Sequence, residues 1–120
     1  MRIRALRGAI TCDEDSVAEI ETKTQRLILE MLARNSVEHD DVVSVIFTST
    51  DDLRAAFPAT AARGVGFGDV PMLCAGEVDV EGSLARVVRV MMHVYTERES
   101  AELVHVYLDG AQVLRADIAQ

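Results

Sequence analysis

One long amphipathic helix is the feature that most constrains how this chain can fold. Its apolar residues recur at helical spacing, and they are Val17, Ile20, Leu27, Ile28, Met31 and Leu32. This spacing places them on one face of an α-helix. Ser16 and Glu19 are expected to form a capping box at its start, and the helix is expected to end near Asn35. An apolar face of this length has to pack against other elements of the fold.

Most of the other elements are predicted to be β-strands. The chain opens with a strand at residues 2–10, whose apolar positions we take to be Ile3, Ala5 and Ile10. A run of β-branched residues at 41–49 is typical of a buried strand. These strands predict a sheet against which the long helix packs.

Two later segments are also predicted as strands, on different grounds. The apolar spacing at 84–95 fits either a helix or a strand, and we predict a strand because four valines and the lack of good caps weigh against a helix. Further along, Asp109-Gly110 separates two apolar segments, as is typical of a two-residue hairpin turn. Such a turn would pair residues 104–108 with 111–115.

A short helix is predicted to start at Pro58, with Gly64 just beyond its end. Gly64, Gly66 and Gly68 form a loop, but a phosphate-binding loop would need a strand before it and a helix after it. The element order predicts an α+β fold, with a mixed β-sheet packed against one long amphipathic helix plus a short helix. Residues 1–120 are expected to form a single domain.

Composition argues against several classes of function. The net charge of −8 makes nucleic acid an unsuitable partner, because phosphate binding needs a cationic face. No apolar run approaches the roughly 18 residues of a membrane span, and the start shows no signal-peptide pattern, so a cytoplasmic protein is predicted. Cys12 and Cys74 are then expected to be reduced thiols. The three histidines lack metal-ligand spacing, so neither a metal nor a cofactor is expected.

Arg89 is the residue most out of place, because it lies among Val87, Val88, Val90 and two methionines. In a strand that is apolar on both faces, its side chain should be at least partly buried. A buried guanidinium is costly unless it meets a carboxylate or an anionic ligand. The pattern leaves three interpretations open: an internal ion pair with Glu77 or Asp79, a position at a subunit interface, or an anion-binding site.

Other polar residues have a structural interpretation that is at least as good as a functional one. Arg7 lies where the first strand is expected to end, Arg63 closes the short helix, and Tyr107 fits a sheet aromatic. Glu77 fits a solvated loop, and Cys74 fits a small buried apolar residue. No Ser-His-Asp set and no pair of isolated acids is found. What remains is several arginines and one glutamate, which suits a small polyanionic ligand and little proton transfer.

Several short segments, taken together, resemble the monofunctional Bacillus-type chorismate mutases. They are Ile3-Arg4-Ala5-Leu6-Arg7-Gly8-Ala9, Asp52-Leu53, Phe57-Pro58-Ala59 with Arg63, Val70-Pro71 with Cys74, Glu77-Val78-Asp79-Val80, Arg89-Val90-Met91-Met92, His105-Val106-Tyr107-Leu108 and Val113-Leu114-Arg115. They extend over nearly the whole chain. The set is specific, although no single segment would be.

This resemblance implies an isomerase that rearranges chorismate into prephenate, the committed step towards phenylalanine and tyrosine. It implies a homotrimer, arranged as a pseudo-barrel, with active sites at the subunit interfaces. By the same resemblance the catalytic residues are Arg7, Cys74, Glu77, Arg89 and Tyr107. The residues that line or close the pocket are Phe57, Ala59, Thr60, Arg63, Met72, Leu73, Leu114 and Arg115. Thr60 departs from the family pattern, since some relatives have a basic residue there.

Two other functions are alternatives to this one. One is a trimeric imine deaminase with an interfacial arginine, which would need a different C-terminal motif. The other is a non-catalytic trimeric module that senses a carboxylate.

A geometric conflict also arises, because a two-residue turn at Asp109-Gly110 would put Tyr107 and Arg115 on opposite faces of the hairpin.

Overall fold

The computed structural model describes residues 1–115 as a five-stranded sheet with helices packed against it. The strands are β1 (Arg2–Thr11), β2 (Val42–Ser49), β3 (Met72–Gly76), β4 (Val87–Thr96) and β5 (Val106–Leu108). The helices are α1 (Val17–Asn35) and α2 (Pro58–Arg63), and 3-10 segments occupy His39–Asp41, Ser100–Glu102 and Asp109–Arg115. Among the described residues no helix is long and apolar enough to cross a membrane.

The strand order β3-β2-β4-β1-β5 makes the sheet mixed, as predicted. β4 runs antiparallel to both β1 and β2. β5 runs parallel to β1, and β3 runs parallel to β2. The predicted α+β class, the strands at 2–10, 41–49 and 84–95, and the helix starting at Pro58 are therefore confirmed, with β4 beginning at Val87.

Helix α1 begins and ends where the sequence predicts, but its start is only half a capping box. The Ser16 side chain accepts a hydrogen bond from the Glu19 backbone N–H at 3.2 Å. The Glu19 carboxylate instead accepts from the Asp13 backbone N–H at 2.9 Å. The acidic side chain therefore fixes the loop before the helix as well as its first turn.

Packing of α1 uses most of its predicted apolar face and a close approach at Gly8. Ile20, Leu27, Ile28 and Met31 are fully buried, whereas Val17 is exposed. A Cβ on Gly8 would lie 2.6 Å from the Met31 sulfur, so a larger residue at this position would force the Met31 side chain to shift.

The predicted apolar positions of β1 need a correction. Ile10 is buried, as predicted, and so is Leu6, but Ile3 and Ala5 are exposed. Side chains alternate between the two faces of a strand, so Leu6, Gly8 and Ile10 point towards α1 while the odd-numbered residues point the other way.

The sheet therefore has a covered face, against which α1 and α2 pack, and an opposite face, which we call the open face. The open face carries Ile3, Ala5, Arg7 and Ala9 of β1, Ile46 and Thr48 of β2, Leu73 and Ala75 of β3, Arg89, Met91, His93 and Tyr95 of β4, and Tyr107 of β5. Several of its large apolar side chains are exposed, with Ile46 at 38% and Leu73 at 68%.

The predicted hairpin at Asp109-Gly110 is wrong. β5 does not pair with residues 111–115 but with β1, where Tyr107 lies opposite Ala9. The chain turns at Asp109, which has a φ of 54°, into the 3-10 segment. The carboxylate of Asp109 binds Lys23 and Arg26 of α1, and this tertiary contact outweighs the local preference for a hairpin.

Two smaller predictions are also corrected. The geometric conflict at the C-terminal end disappears, because the Arg115 guanidinium carbon lies 5.9 Å from the centroid of the Tyr107 ring. Gly64 does not adopt the left-handed conformation of a C-cap glycine, since its φ is −67°. The left-handed conformation after α2 belongs to Gly66, at a φ of 98°, where a Cβ would collide with the ring of His39.

Candidate active site

A row of residues in register crosses the open face at the level of Arg89. From β3 to β5 its members are Ala75, Thr48, Arg89, Ala9 and Tyr107. Ala9 and Ala75 are small, so they leave space above the sheet near the long arginine side chain. The sequence alone could not show this row, because it depends on the strand order.

Arg89 is held by one carboxylate. Its Nε donates to both oxygens of Glu77, at 3.0 and 3.1 Å. The hydroxyl of Thr48 donates to Glu77 Oε2 at 2.7 Å. The side chain of Glu77 is only 14% exposed and that of Arg89 is 42% exposed. Glu77 therefore engages Nε, and within residues 1–115 no protein acceptor engages the two terminal nitrogens of Arg89.

A cavity of about 200 Å³ lies beside this ion pair. Its lining includes Arg7, Ile46, Thr48, Arg89, Met91 and Tyr107. Arg7 lies opposite Met91 in the β1–β4 ladder, which makes it a diagonal neighbour of Arg89, with Cβ atoms about 7 Å apart. Two guanidinium groups and a phenol around one concavity suit a small ligand with more than one negative group.

His105 fixes the backbone of Arg7. Its Nδ1 accepts a hydrogen bond from the Arg7 backbone N–H at 3.0 Å, so the ring must be neutral, with its proton on Nε2. Burial lowers the pKa of His105, and the positive charges of Arg7 and Arg115 lower it further. The ring thus adds a fixed hydrogen bond next to the site without adding a charge at neutral pH.

Comparisons with known proteins show which family the chain belongs to. The model of the family "Chorismate mutase type I" matches residues 3–118. The chain belongs to the type I chorismate mutase family. A chorismate mutase AroH of Thermus thermophilus is 45% identical over 117 residues, covering 97% of this chain and 96% of the relative. A chorismate mutase AroH of Bacillus subtilis is 41% identical over 120 residues, covering 99% and 94%.

The fold agrees as well. A solved chorismate mutase from Clostridium thermocellum superimposes with a TM-score of 0.90 at 48% identity, covering 92% of this chain and 98% of that structure. The predicted family and the predicted enzyme class, an isomerase of the chorismate mutase type, are therefore confirmed.

Within this chorismate mutase chain the predicted site residues fall into two groups. Arg7, Arg89 and Tyr107 line the cavity beside Glu77, and Leu114 and Arg115 lie next to Tyr107. Phe57 and Cys74 line a different cavity, of about 340 Å³, at the ends of β2 and β3. One chain thus brings together the first group but does not bring the second group to it.

The remaining predicted pocket residues are dispersed. Ala59 is buried in the core, and Met72 packs against the core, so their side chains face inward. Thr60 and Arg63 are exposed on α2, and Leu73 is exposed on the open face. Their roles in substrate binding stay predictions. Within residues 1–115 no cluster of histidine, cysteine and acidic side chains could hold a metal ion.

Thr48 is a site residue that the sequence analysis missed. Nothing in its sequence context sets it apart from Thr50 or Ser49. Its relevance comes from lying directly opposite Arg89 in the β2–β4 ladder. The same register leaves Asp79 without a hydrogen bond to Arg89 and selects Glu77 from the two predicted carboxylate partners.

The free energy of unfolding is expected to fall as the pH is lowered from 7.5 to 5. Since the folded pKa of His105 is lowered, the unfolded chain binds a proton more readily below pH 6.5. The stabilisation that the neutral His105 ring gives the folded state is complete above pH 6.5. It is lost as the pH falls towards the pKa of His105 in the folded chain. Urea unfolding at one fixed protein concentration measures this, and His105→Gln should flatten the profile. An identical slope in that variant would contradict the prediction.

The two cysteines are expected to differ strongly in reactivity. Cys74 is exposed, in contrast to the buried position that the sequence favoured, whereas Cys12 is 2% exposed. Burial raises the pKa of the Cys12 thiol to about 11, so at pH 8 only about one molecule in a thousand carries the thiolate there. Alkylation at pH 8 followed by mass spectrometry should label Cys74 first. The Cys74→Ser variant should lose the fast phase, and equal rates at both thiols would disprove the difference.

Proposed function

We propose that this chain rearranges chorismate into prephenate, with Arg89 stabilising the ether oxygen as its bond to carbon breaks. The observation that carries the proposal is the orientation of Arg89. Glu77 engages its Nε, while the terminal nitrogens stay free of protein acceptors within residues 1–115. A guanidinium held in this way is a preorganised donor for an oxygen that gains negative charge.

The chemistry of the reaction suits such a site. The rearrangement is pericyclic and needs no nucleophile, acid or base from the protein. It needs the flexible substrate held as a compact chair with its reacting carbons close together, which is a task of orientation. It also needs a cation that interacts more strongly with the transition state than with the ground state. The walls formed by Ile46 and Met91 and the cations Arg7 and Arg89 support both requirements.

Glu77 has two roles in this proposal. It holds Arg89 in place as a counter-charge, and it accepts a hydrogen bond from the substrate hydroxyl. The Thr48 hydroxyl, which donates to Glu77 Oε2, keeps the carboxylate in the orientation that both roles need. Cys74 is proposed to lie near the same substrate hydroxyl, supplied by another copy of the chain.

The two substrate carboxylates are proposed to meet arginines. Arg7 lines the cavity, Arg115 lies over Tyr107, and Arg63 ends α2. Thr60 adds no charge where some relatives carry one. A dianion must also approach a chain with a net charge of −8, so the local cationic pocket has to outweigh an unfavourable overall field, and association should depend on salt concentration.

We further propose a homotrimer with active sites at subunit interfaces, built as a pseudo-barrel. α2 packs against β2 and β3 on the covered face, whereas Arg7, Arg89 and Tyr107 project from the open face. Residues of α2 therefore reach Arg89 only from a second copy. Exposed apolar residues on the open face, including Ile46, Leu73 and Tyr95, support burial against such a copy.

Two simpler parts of the proposal concern the chain as a whole. β1 and β5, from opposite ends of the chain, pair in one sheet, which supports a single domain. The free thiols of Cys12 and Cys74 support a reducing compartment, and we propose the cytoplasm.

The test is loss of the ultraviolet absorbance of chorismate in the presence of the purified chain. Turnover to prephenate, by a species with three times the 13.1 kDa mass in light scattering, is the expected result. Chorismate binding without turnover would support a carboxylate-sensing module instead. Turnover of an imine, with none of chorismate, would support a deaminase. A catalytically active monomer would overturn the trimer but leave the reaction standing.

A further inference from the structure

Asp109 lies at a corner that leads directly to the active site. It follows β5 and has a φ of 54°, a left-handed conformation that is disfavoured for residues other than glycine. Its carboxylate accepts hydrogen bonds from Lys23 Nζ and from Arg26, whose Nη1 lies 3.0 and 3.1 Å from the two oxygens. Lys23, the only lysine of the chain, is 15% exposed and Asp109 is 28% exposed at the side chain. We call these three residues the α1 clamp.

The α1 clamp sets the course of the chain that follows. Directly after the corner, the Gly110 N–H donates to the Thr11 hydroxyl at 2.8 Å, and Ala111 is fully buried. The 3-10 segment then runs back towards Tyr107, and Leu114 packs against the buried cluster that contains Ala9, Tyr107 and Ala111. Arg115 ends 5.9 Å from the centroid of the Tyr107 ring. A left-handed corner held by two cations thus joins α1 to the edge of the cavity.

Charges around the α1 clamp favour its ionised form. The hydrogen bond from Lys23, and that from Arg26, lower the pKa of Asp109. The hydrogen bond to Asp109 raises the pKa of Lys23, and the charges of Asp13 and Glu19 raise it further. Both shifts favour the charged forms, so the pair stays ionised at neutral pH. Any effect of the clamp on the site is therefore present at neutral pH.

We infer that Asp109 is a positioning residue, which acts on the substrate through Arg115 because the α1 clamp orients the segment that carries Arg115. This inference rests on the proposed function and extends it to residues that do not touch the cavity. Neither Lys23, Arg26 nor Asp109 lines the cavity around Arg89.

The test separates the charge of Asp109 from its backbone conformation. Asparagine tolerates a left-handed φ at least as well as aspartate does, so Asp109→Asn removes the charge and leaves the corner allowed. We expect KM for chorismate to rise roughly tenfold while kcat stays within about threefold. Substrate binding is weakened because Arg115 is no longer held in place, whereas the groups around the reacting atoms are unchanged. Lys23→Met should raise KM to a similar extent, whereas Lys23→Arg should keep KM close to the wild-type value.

A matched control uses another ion pair of α1. Arg34 donates to the Glu30 carboxylate at 2.8 Å between neighbouring turns of the helix, so Glu30→Gln weakens an ion pair of α1 without changing a residue of the α1 clamp. Glu30→Gln should leave KM and kcat unchanged. An equal rise in KM in this variant would show that loss of any ion pair of α1 weakens the enzyme, and the inference would fail.

The decisive measurement is a double-mutant cycle. If Asp109 acts through Arg115, Asp109→Asn should have no further effect on KM in an Arg115→Ala background. Fully additive effects, or wild-type KM in Asp109→Asn, would overturn the inference. Amide hydrogen exchange gives a readout apart from activity, since residues 110–115 should exchange faster in Asp109→Asn. If the wild-type chain did not turn over chorismate, the proposed function would fail, whereas unchanged exchange would reject the clamp alone.

Discussion

Replacing Arg89 with lysine is expected to lower kcat for chorismate by roughly 10²–10³-fold, with a much smaller change in KM. Lysine keeps the positive charge but lacks the planar fork. In the structure the Nε of that fork binds Glu77, and its terminal nitrogens remain for the substrate. A single ammonium group cannot hold both positions at once. Arg89→Gln removes the charge as well and should cost more.

Steady-state kinetics, followed by the absorbance of chorismate, measures both constants. Comparing the change in kcat with the change in KM shows which role Arg89 has. A group that acts mainly in the transition state lowers kcat, whereas one that only binds substrate raises KM. Arg34→Lys is the control, because Arg34 lies in the last turn of α1 and pairs with Glu30. Near-normal kcat in Arg89→Lys would contradict the proposed role of Arg89 in the transition state.

The sequence predicted best the features that depend on local periodicity. The apolar pattern of α1 predicted an end near Asn35, where the helix does end. The valine density of β4 predicted a strand, although its spacing also fitted a helix. The same pattern showed that a charge at Arg89 was unusual. It could not choose between Glu77 and Asp79, because that choice depends on how the segment after β3 sits against β4.

Features that depend on strand order or on distant side chains were not accessible in this way. The apolar positions predicted for β1 include the exposed Ile3 and Ala5, because both faces carry apolar residues and only the position of α1 distinguishes them. The Asp-Gly pair failed as a hairpin because Lys23 and Arg26, more than eighty residues away in sequence, bind the aspartate. The family resemblance implies a set of site residues but not where the fold places them, and one chain brings together only those around Arg89.

Because one chain does not bring α2 to Arg89, mixing two inactive variants should restore activity. Arg89→Gln removes one of the two arginines that line the cavity on the open face, and Arg63→Ala removes an exposed cation of α2 on the other side of the sheet. Each variant alone should have very low kcat/KM. When the two are co-expressed or refolded together, activity should return to about one quarter of the wild-type value if each site joins Arg89 of one subunit to Arg63 of its neighbour.

The fraction follows from random assembly. In an equal mixture, half of the subunits retain Arg89 and half retain Arg63, so both wild-type residues meet at about one interface in four. A site contained within one subunit gives a different result, since no subunit of the mixture carries both residues and activity stays at the sum of the two variants. Mixing Arg89→Gln with Arg89→Lys is the control and should restore nothing. Recovery in the first mixture alone would therefore require that the open face of one chain and α2 of another form the same pocket.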